Sequence, residues 1–312
     1  MVFQFPWTRF RKVLSVWNQL SKPEILELSR PGVNIKNRDH VDQLIQALQS
    51  AGTHTLQVVS DFDMTLSKFA HDGQRCATTH SLLHNSGLLS EDCKSKMCVL
   101  QDRFYPVEID VLMPLEDKVP LMVEWWSAAH ELLVEQGIQR KLLAAAVSQS
   151  GPKLRGGYGE FFGRLKRMEV PVLVFSAGVG DILEEILRHK HVLSPNLSIR
   201  ANFMHFNEEG LLQGFKEPLI HTFNKGEGHI ASPAHTAHDR PNVLLLGDSL
   251  GDVSMADNLT NVTNVLRIGF LNDKVEERRE VYSSSYDVVL ERDETLDIPN
   301  AILRYISMET DS

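Results

Sequence analysis

The chain has 312 residues, 42% apolar and 23% charged, with a formal net charge of −9. That length suits one large domain, or a core carrying one inserted domain, and the composition is that of a soluble globular protein. The acidic balance argues against nucleic-acid binding through bulk electrostatics. Three cysteines without a CxxC pair (Cys76, Cys93, Cys98) argue against a disulfide framework and fit a reducing compartment, and no run approaches the ~18 apolar residues of a membrane span.

The first 22 residues hold Arg9, Arg11, Lys12 and Lys22 and no acid, and Trp7, Phe10, Val13, Leu14 and Trp17 could share one helical face. Two readings stay open: a targeting or membrane-surface segment, and an extension outside the catalytic fold. The extension, residues 1–38, is preferred because the segment is short and poor in serine. Residues 31–38 read as a loop, and Asp39 is the expected cap of a helix through Val41, Leu44, Ile45 and Leu48 that ends at Ala51-Gly52. Leu56 to Ser60 follows as a buried strand.

Further buried strands are expected at Val170 to Ser176, Val243 to Gly247 and Val265 to Gly269, with a weaker one at Asp287 to Glu291. Helical stretches such as Ile182 to Arg188 separate most of them. This alternation predicts an α/β fold, a Rossmann-like parallel sheet covered on both faces, with its chemistry at the carboxyl ends of strands. Residues 72–168 interrupt it with helical patterns at Ser90 to Leu100, Leu115 to Glu135 and Lys141 to Ser148. Arg155-Gly156-Gly157-Tyr158-Gly159 then breaks the run before Phe161 and Phe162. An insertion of roughly a hundred residues is too long for a plain crossover and predicts a helical cap over 72–168, with the core formed by 39–71 and 169–306. Ile199 to Phe206 and Leu211 to Phe215 flank a Gly-containing turn and read as a hairpin.

Four segments carry candidate chemistry. Asp61-Phe62-Asp63-Met64-Thr65 places two carboxylates two residues apart at a strand end. Such a pair suits a divalent cation such as Mg²⁺, with one acid attacking phosphorus and the other moving a proton; taken alone it also reads as an acidic cap or turn. Phe175-Ser176-Ala177-Gly178 offers a hydroxyl and amides to phosphate oxygens, or is a simple turn. Lys225, after Asn224, neutralises a phosphoryl group or is merely solvated. Gly247-Asp248-Ser249-Leu250-Gly251-Asp252 sets two more acids in a tight loop that would complete a metal site.

In this order, on a βα alternation, the four elements resemble the haloacid dehalogenase superfamily. That resemblance implies that Asp61 is a nucleophile forming an aspartyl-phosphate and that Asp63 protonates the leaving oxygen and then activates water. It implies that Ser176, Ala177 and Lys225 hold the phosphoryl group. Asp61, the main-chain carbonyl of Asp63, and Asp248 would ligate Mg²⁺, with Asp252 in support. Asp61 to Ser67, Glu124-Trp125-Trp126, Phe175 to Asp181, Leu246 to Ser249, Gly269 to Glu276 and Ser285 to Leu290 are similar, more narrowly, to the cytosolic 5'-nucleotidase III family. This likeness runs over residues 40–306 and leaves out residues 1–30.

The family resemblance implies hydrolysis of nucleoside 5'-monophosphates in a cytoplasmic, monomeric enzyme with no nucleic-acid polymer as partner. Glu108 matches the base-recognising acid, for which the plain reading is a surface acid. Trp126 and Ala129 match the branch that accepts 7-methylguanosine monophosphate as well as CMP, and a cationic base stacked on Trp gains ~0.5–2 kcal/mol. Core packing is the alternative for Trp126. His80 stands where an aromatic partner would complete the stack and is closer to the pyrimidine type. Residues 71–80 also depart from the family, with Ala77 where Pro is usual. His229, His235 and His238 sit in a diverged loop and read as solvated. The competing readings are a pyrimidine-selective nucleotidase, a phosphatase for another small metabolite such as phosphoserine, and a non-catalytic nucleotide binder. Transfer of the phosphoryl group to a nucleoside is an expected side reaction.

Overall fold

The computed structural model describes residues 25–110, 112–150, 153–226, 240–257 and 259–308. The N-terminal segment considered above and His229, His235 and His238 lie outside the described residues.

A 3₁₀ turn at Leu26–Ser29 and strand β1 (Val33–Asn34) precede helix α1 (Arg38–Ala51). Asn37, rather than Asp39, caps α1: its side chain accepts from the His40 amide, and Asp39 stands in the first turn, where an acid favours the helix dipole. Strand β2 (Leu56–Ser60) is buried along its whole length, as its apolar run predicts. A tight hairpin, β3 (Ala70–His71) and β4 (Gln74–Arg75), leads to the helices α2 (Thr79–Asn85), α3 (Glu91–Ile109), α4 (Leu115–Glu135) and α5 (Leu143–Ser150).

Helix α3 runs well past Leu100 and so carries Glu108 in its last turn. The run after Gly157 is helix α6 (Tyr158–Arg167), which contacts the C-terminal helix α9 (Asp297–Ile306). Strand β5 (Val172–Val179), helix α7 (Gly180–His189) and strand β6 (Leu197–Asn202) follow. The expected hairpin is only half right. Its first part, β6, pairs parallel with β5 in the main sheet, and only β7 (Met204–Phe206) and β8 (Leu212–Phe215) pair with each other. Strands β9 (Asn242–Gly247), β10 (Asn264–Leu271) and β11 (Val288–Glu291), with helix α8 (Val275–Ser285), complete the chain.

The main sheet has the order β1-β11-β10-β9-β2-β5-β6, parallel except for β1 at its edge. Side chains alternate between two apolar layers: Val58, Leu244 and Leu246 join one core with α1, α7 and α9, while Val59, Val243 and Leu245 join another with Tyr282 and Tyr286. This is the expected α/β architecture. From β2 the chain moves outward to β5 and β6 and then returns to β9 on the other side, so β2 is the topological switch point. Ser60 stands beside Leu246 of β9 and Val174 of β5, and the carboxyl ends of all three strands therefore open at one place.

Two chain segments connect α2–α5 to the sheet, and they run side by side. Ser67 bridges Leu154, the Lys68 amide donates to the Lys153 carbonyl, and the Arg155 amide donates to the Leu66 carbonyl.

Candidate active site

Asp61 follows the last residue of β2 and is buried. Its amide donates to the Leu246 carbonyl at 3.0 Å, which fixes the backbone against β9. Its Oδ1 accepts from Lys225 Nζ at 2.6 Å, while its Oδ2 is buried with no hydrogen-bond partner. A buried carboxylate oxygen left bare is costly and marks a place for a cation or a reacting group.

Lys225 also donates to Asp252 Oδ1 at 2.7 Å. Asp252 Oδ2 accepts from the amides of Asp248 and Ser249 and from the Ser249 hydroxyl, at 3.1, 2.9 and 2.9 Å. Asp252 thus serves as the acid of a capping box on the 3₁₀ turn Leu250–Ala256, with both oxygens occupied. Gly251 is required here, since a Cβ would lie 2.1 Å from the Thr222 carbonyl oxygen of the lysine loop. Asn224 braces that loop, accepting from the His221 amide and donating to the Leu219 carbonyl.

Asp248 leaves the end of β9. Its only side-chain hydrogen bond among the described residues is a 3.4 Å contact from Thr65 Oγ1, and the Tyr282 hydroxyl donates to its carbonyl at 2.6 Å. Asp61, Asp248 and Asp252 present carboxylate oxygens that all lie within 4.8 Å of one another. Hard oxygen donors at this spacing fit a divalent cation, and the bare Asp61 Oδ2 supplies the free lone pairs that Asp252 lacks. The carboxylate of Asp63 stays out of this cluster. Its Oδ1 accepts from the Thr79 amide at 3.0 Å and its Oδ2 from the Thr79 hydroxyl at 2.7 Å.

The electrostatics agree with the geometry. Burial, with the charges of Asp252 and Asp63 and against that of Lys225, raises the Asp61 pKa to about 7. Burial raises Asp63 to about 6 against its Thr79 bonds, and burial with Asp61 and Asp252 raises Asp248 well above the usual carboxylate range. Burial opposes charge on Lys225, but Asp252 and Asp61 outweigh it and its pKa rises. Four acids around one lysine leave the site short of positive charge, which a divalent cation would supply.

Ser176 lies within β5 rather than beyond its end, because the strand continues to Val179 through a register irregularity after Phe175. Its buried hydroxyl accepts from the Gly178 amide at 3.0 Å. The strand then feeds directly into the first turn of α7 at Gly180.

A cavity of about 1100 Å³ opens over these groups, walled on the far side by α2, α3 and α4. All of Asp61, Asp63, Ser176, Ala177, Lys225, Asp248 and Asp252 line it, and so do Glu108, Trp126, Ala129 and His80. Glu108 Oε1 accepts from the Thr222 hydroxyl at 2.5 Å, and burial raises its pKa. Lys118 Nζ donates to the Glu108 carbonyl at 3.0 Å. Trp126 and His80 stand edge to face, with centroids 6.4 Å apart and planes at 86°, so they do not frame a parallel slot. His80 stacks instead toward His130, which lies flat on Phe215 at 3.7 Å. Burial lowers His80 to about 4, and burial with the neighbouring His80 lowers His130 to about 3; both rings are neutral at pH 7.

The family model described as pyrimidine 5'-nucleotidase (UMPH-1) matches residues 64–307. The chain belongs to this family. A 7-methylguanosine phosphate-specific 5'-nucleotidase of Gallus gallus is 50% identical over 286 residues, 91% of this chain and 99% of that protein. Its Homo sapiens counterpart is 48% identical over 285 residues, 91% of this chain and 95% of that protein. Among solved structures, cytosolic 5'-nucleotidase IIIB bound to cytidine superposes with a TM-score of 0.83 at 33% identity, covering 92% of this chain and 97% of that one. As a UMPH-1 family member the chain is a hydrolase of the 5'-nucleotidase type with a haloacid dehalogenase-like fold.

Within this UMPH-1 chain, sequence reasoning missed three residues of the site. Thr79 grips Asp63. Thr222 holds Glu108. Arg155 is fully buried, stacks at 4.0 Å over the Phe270 ring, and donates to the carbonyls of Thr65, Met64 and Asp293 and to Asn272 Oδ1. A signal for Arg155 was available: an arginine beside two glycines, just where the helical pattern stops, marks the return to the core.

Proposed function

We propose that the chain is a Mg²⁺-dependent 5'-nucleotidase that hydrolyses 7-methylguanosine 5'-monophosphate and CMP through an aspartyl-phosphate on Asp61. The observation that carries this reading is Asp61 itself: one oxygen bound to Lys225, the other buried and bare, at the switch point of a parallel sheet. The names of the relatives support the substrate class.

In this reading an Asp61 carboxylate oxygen attacks phosphorus, the new O–P bond forms, and the bond to the nucleoside O5' breaks. Asp63 gives its proton to that departing oxygen. It then takes a proton from a water that attacks the phosphoaspartate, releasing inorganic phosphate and restoring Asp61. Lys225 and Ser176 hold the phosphoryl oxygens. Asp61, Asp248 and the Asp63 carbonyl would hold the cation, which supplies charge neutralisation at the phosphoryl group.

Glu108, held by Thr222, accepts hydrogen bonds from the base, and the indole of Trp126 offers it an aromatic face. Neutral His80 and His130 put no positive charge against a cationic methylated base. The cap in this reading is residues 72–168 and the core 39–71 and 169–306, with α6 at the cap's end in contact with α9 of the core. The enzyme is read as a cytoplasmic monomer, and no helix among the described residues is long and apolar enough to cross a membrane.

Pyrimidine selectivity is the second reading, favoured by the family description and the cytidine-bound neighbour. Phosphate release from 7-methyl-GMP and CMP with Mg²⁺ separates the two by their kcat/KM ratio. The Asp61→Asn variant is expected to lose more than about a thousandfold on both, and unchanged activity would overturn the mechanism.

A further inference from the structure

We propose that Thr79 is the positioning residue that aims Asp63 at the departing oxygen of the substrate. This rests on the reading of Asp63 as proton donor. Thr79 is the first residue of α2 and is fully buried. Its amide and hydroxyl take one carboxylate oxygen of Asp63 each, at 3.0 and 2.7 Å. Two bonds from one residue fix both the position and the plane of the carboxylate.

The direction of the second bond is settled by a third. Thr79 Oγ1 also lies 3.2 Å from the Val179 amide, which can only donate. The hydroxyl therefore accepts from Val179 and spends its single proton on Asp63 Oδ2. Three segments meet on this oxygen: the loop after β2, the end of β5, and the start of α2.

Gly178 permits the meeting. A Cβ there would lie 2.1 Å from Thr79 Oγ1, 2.9 Å from Asp63 Oδ2 and 3.1 Å from Ser176 Oγ. The held oxygen of Asp63 thus lies next to the serine assigned to the phosphoryl group. Each Asp63 oxygen keeps a second lone pair, and one of these carries the transferable proton.

The test compares leaving groups. A nucleoside leaves as an alkoxide and needs a proton, whereas p-nitrophenyl phosphate releases a stable phenolate that does not. Thr79→Val keeps the amide and the β-branched shape and removes only the hydroxyl. It is expected to lower kcat/KM by about 10- to 100-fold on the nucleoside monophosphate and by less than about threefold on p-nitrophenyl phosphate. Thr79→Ser restores the hydroxyl and is expected to stay within about threefold of the parent on both. Equal losses on the two substrates, or no loss on either, overturn the proposal. A parent enzyme that hydrolyses neither substrate overturns the functional reading instead. The positioning claim is then decided by a crystal structure of Thr79→Val, where an Asp63 carboxylate turned from its present plane supports it and an unmoved one refutes it.

Discussion

Trp126 Nε1 donates a hydrogen bond to the Ala177 carbonyl oxygen at 2.9 Å. The bond joins helix α4 to the Ser176-Ala177-Gly178 segment, so the indole expected to meet the base is tied to the segment expected to meet the phosphate. The same carbonyl accepts from Asn202 Nδ2 at 2.8 Å, which keeps it satisfied when the indole is removed. Trp126→Tyr is therefore expected to leave the fold intact. The 7-methyl-GMP to CMP ratio of kcat/KM should fall about 2- to 5-fold, part of a cation–π contribution of ~0.5–2 kcal/mol, because Tyr keeps a weaker aromatic face. A ratio that does not move assigns Trp126 to packing alone.

The raised carboxylates make the metal-free protein sensitive to pH. Asp61 titrates near 7 and Asp63 near 6 in the folded state, against ordinary values near 3.8. Between about pH 4 and 7 these two carboxyls hold protons in the folded chain that they lose in the unfolded one, so their contribution to stability is greatest at the acid end of this window and falls as pH rises through it; the buried His80 and His130 contribute in the opposite sense below about pH 6.5. Thermal unfolding in chelator should show that decline as the difference in Tm between the parent and Asp61→Asn, which keeps both histidines. Saturating Mg²⁺ is expected to flatten it and raise Tm near pH 7.5, because a cation bound to the folded state alone adds about 2.7 kcal/mol at a hundredfold excess over Kd. A Tm difference between parent and Asp61→Asn that grows from pH 5 to 7 would contradict the assignment.

Glu108 and Thr222 are expected to act on binding rather than on chemistry. Thr222→Val removes the hydroxyl that donates to Glu108 Oε1 and frees the carboxylate to turn. KM for both nucleotides should rise about 2- to 13-fold with kcat held, the ~0.5–1.5 kcal/mol of one ordinary hydrogen bond. Glu108→Gln should raise it further. Neither change should alter p-nitrophenyl phosphate hydrolysis, which engages no base; a parallel loss there would place Glu108 in the catalytic machinery.

Arg155→Met keeps much of the side-chain volume and removes the guanidinium. It leaves the Thr65 and Asp293 carbonyls short of a donor and Glu294, 3.7 Å away, without its buried partner. The expected loss is about 3–5 kcal/mol in urea unfolding. Met64, the residue after Asp63, has a φ of +64°, and its carbonyl accepts from both Arg155 and Asn272. A left-handed backbone at a β-branched or bulky position persists only where its surroundings hold it, so kcat should fall beyond what the remaining folded fraction explains. Activity that tracks the folded fraction alone would assign Arg155 to stability only.

The parts of the site readable from sequence are those that end a strand. Asp61 and Asp248 stand just past a mostly apolar strand and Ser176 follows the apolar run of another, and a parallel sheet brings such segments together whatever the loops do. Thr79 and Arg155 are not readable in this way, because their partners are remote in sequence and any polar residue is most often solvated. Helix α2 was missed for a local reason. Thr78, Thr79 and Ser81 are poor helix formers, and the helix starts because Thr78 and Ser81 close a capping box. The end of β5 was set too early since Ser-Ala-Gly reads as a turn, whereas the sheet continues through it with a shifted register. The Asn37 cap shows the usual ambiguity of a run holding several candidate cap residues, resolved here by one bond to the His40 amide.

The paired run of Leu66 to Lys68 against Lys153 to Arg155 has an architectural consequence. Chain entry and chain exit of the helical layer are neighbours across a single antiparallel β-bridge, about 5 Å apart. Everything between them leaves and rejoins the sheet at one place, and it packs back on the core through α5 against α7 and through the Gln139–Leu211 bridge. The residues that meet the base and the threonine that grips Asp63 therefore leave and return on one length of chain, so a graft of that length from a relative changes substrate preference without disturbing Asp63 only if it brings a threonine to the place of Thr79.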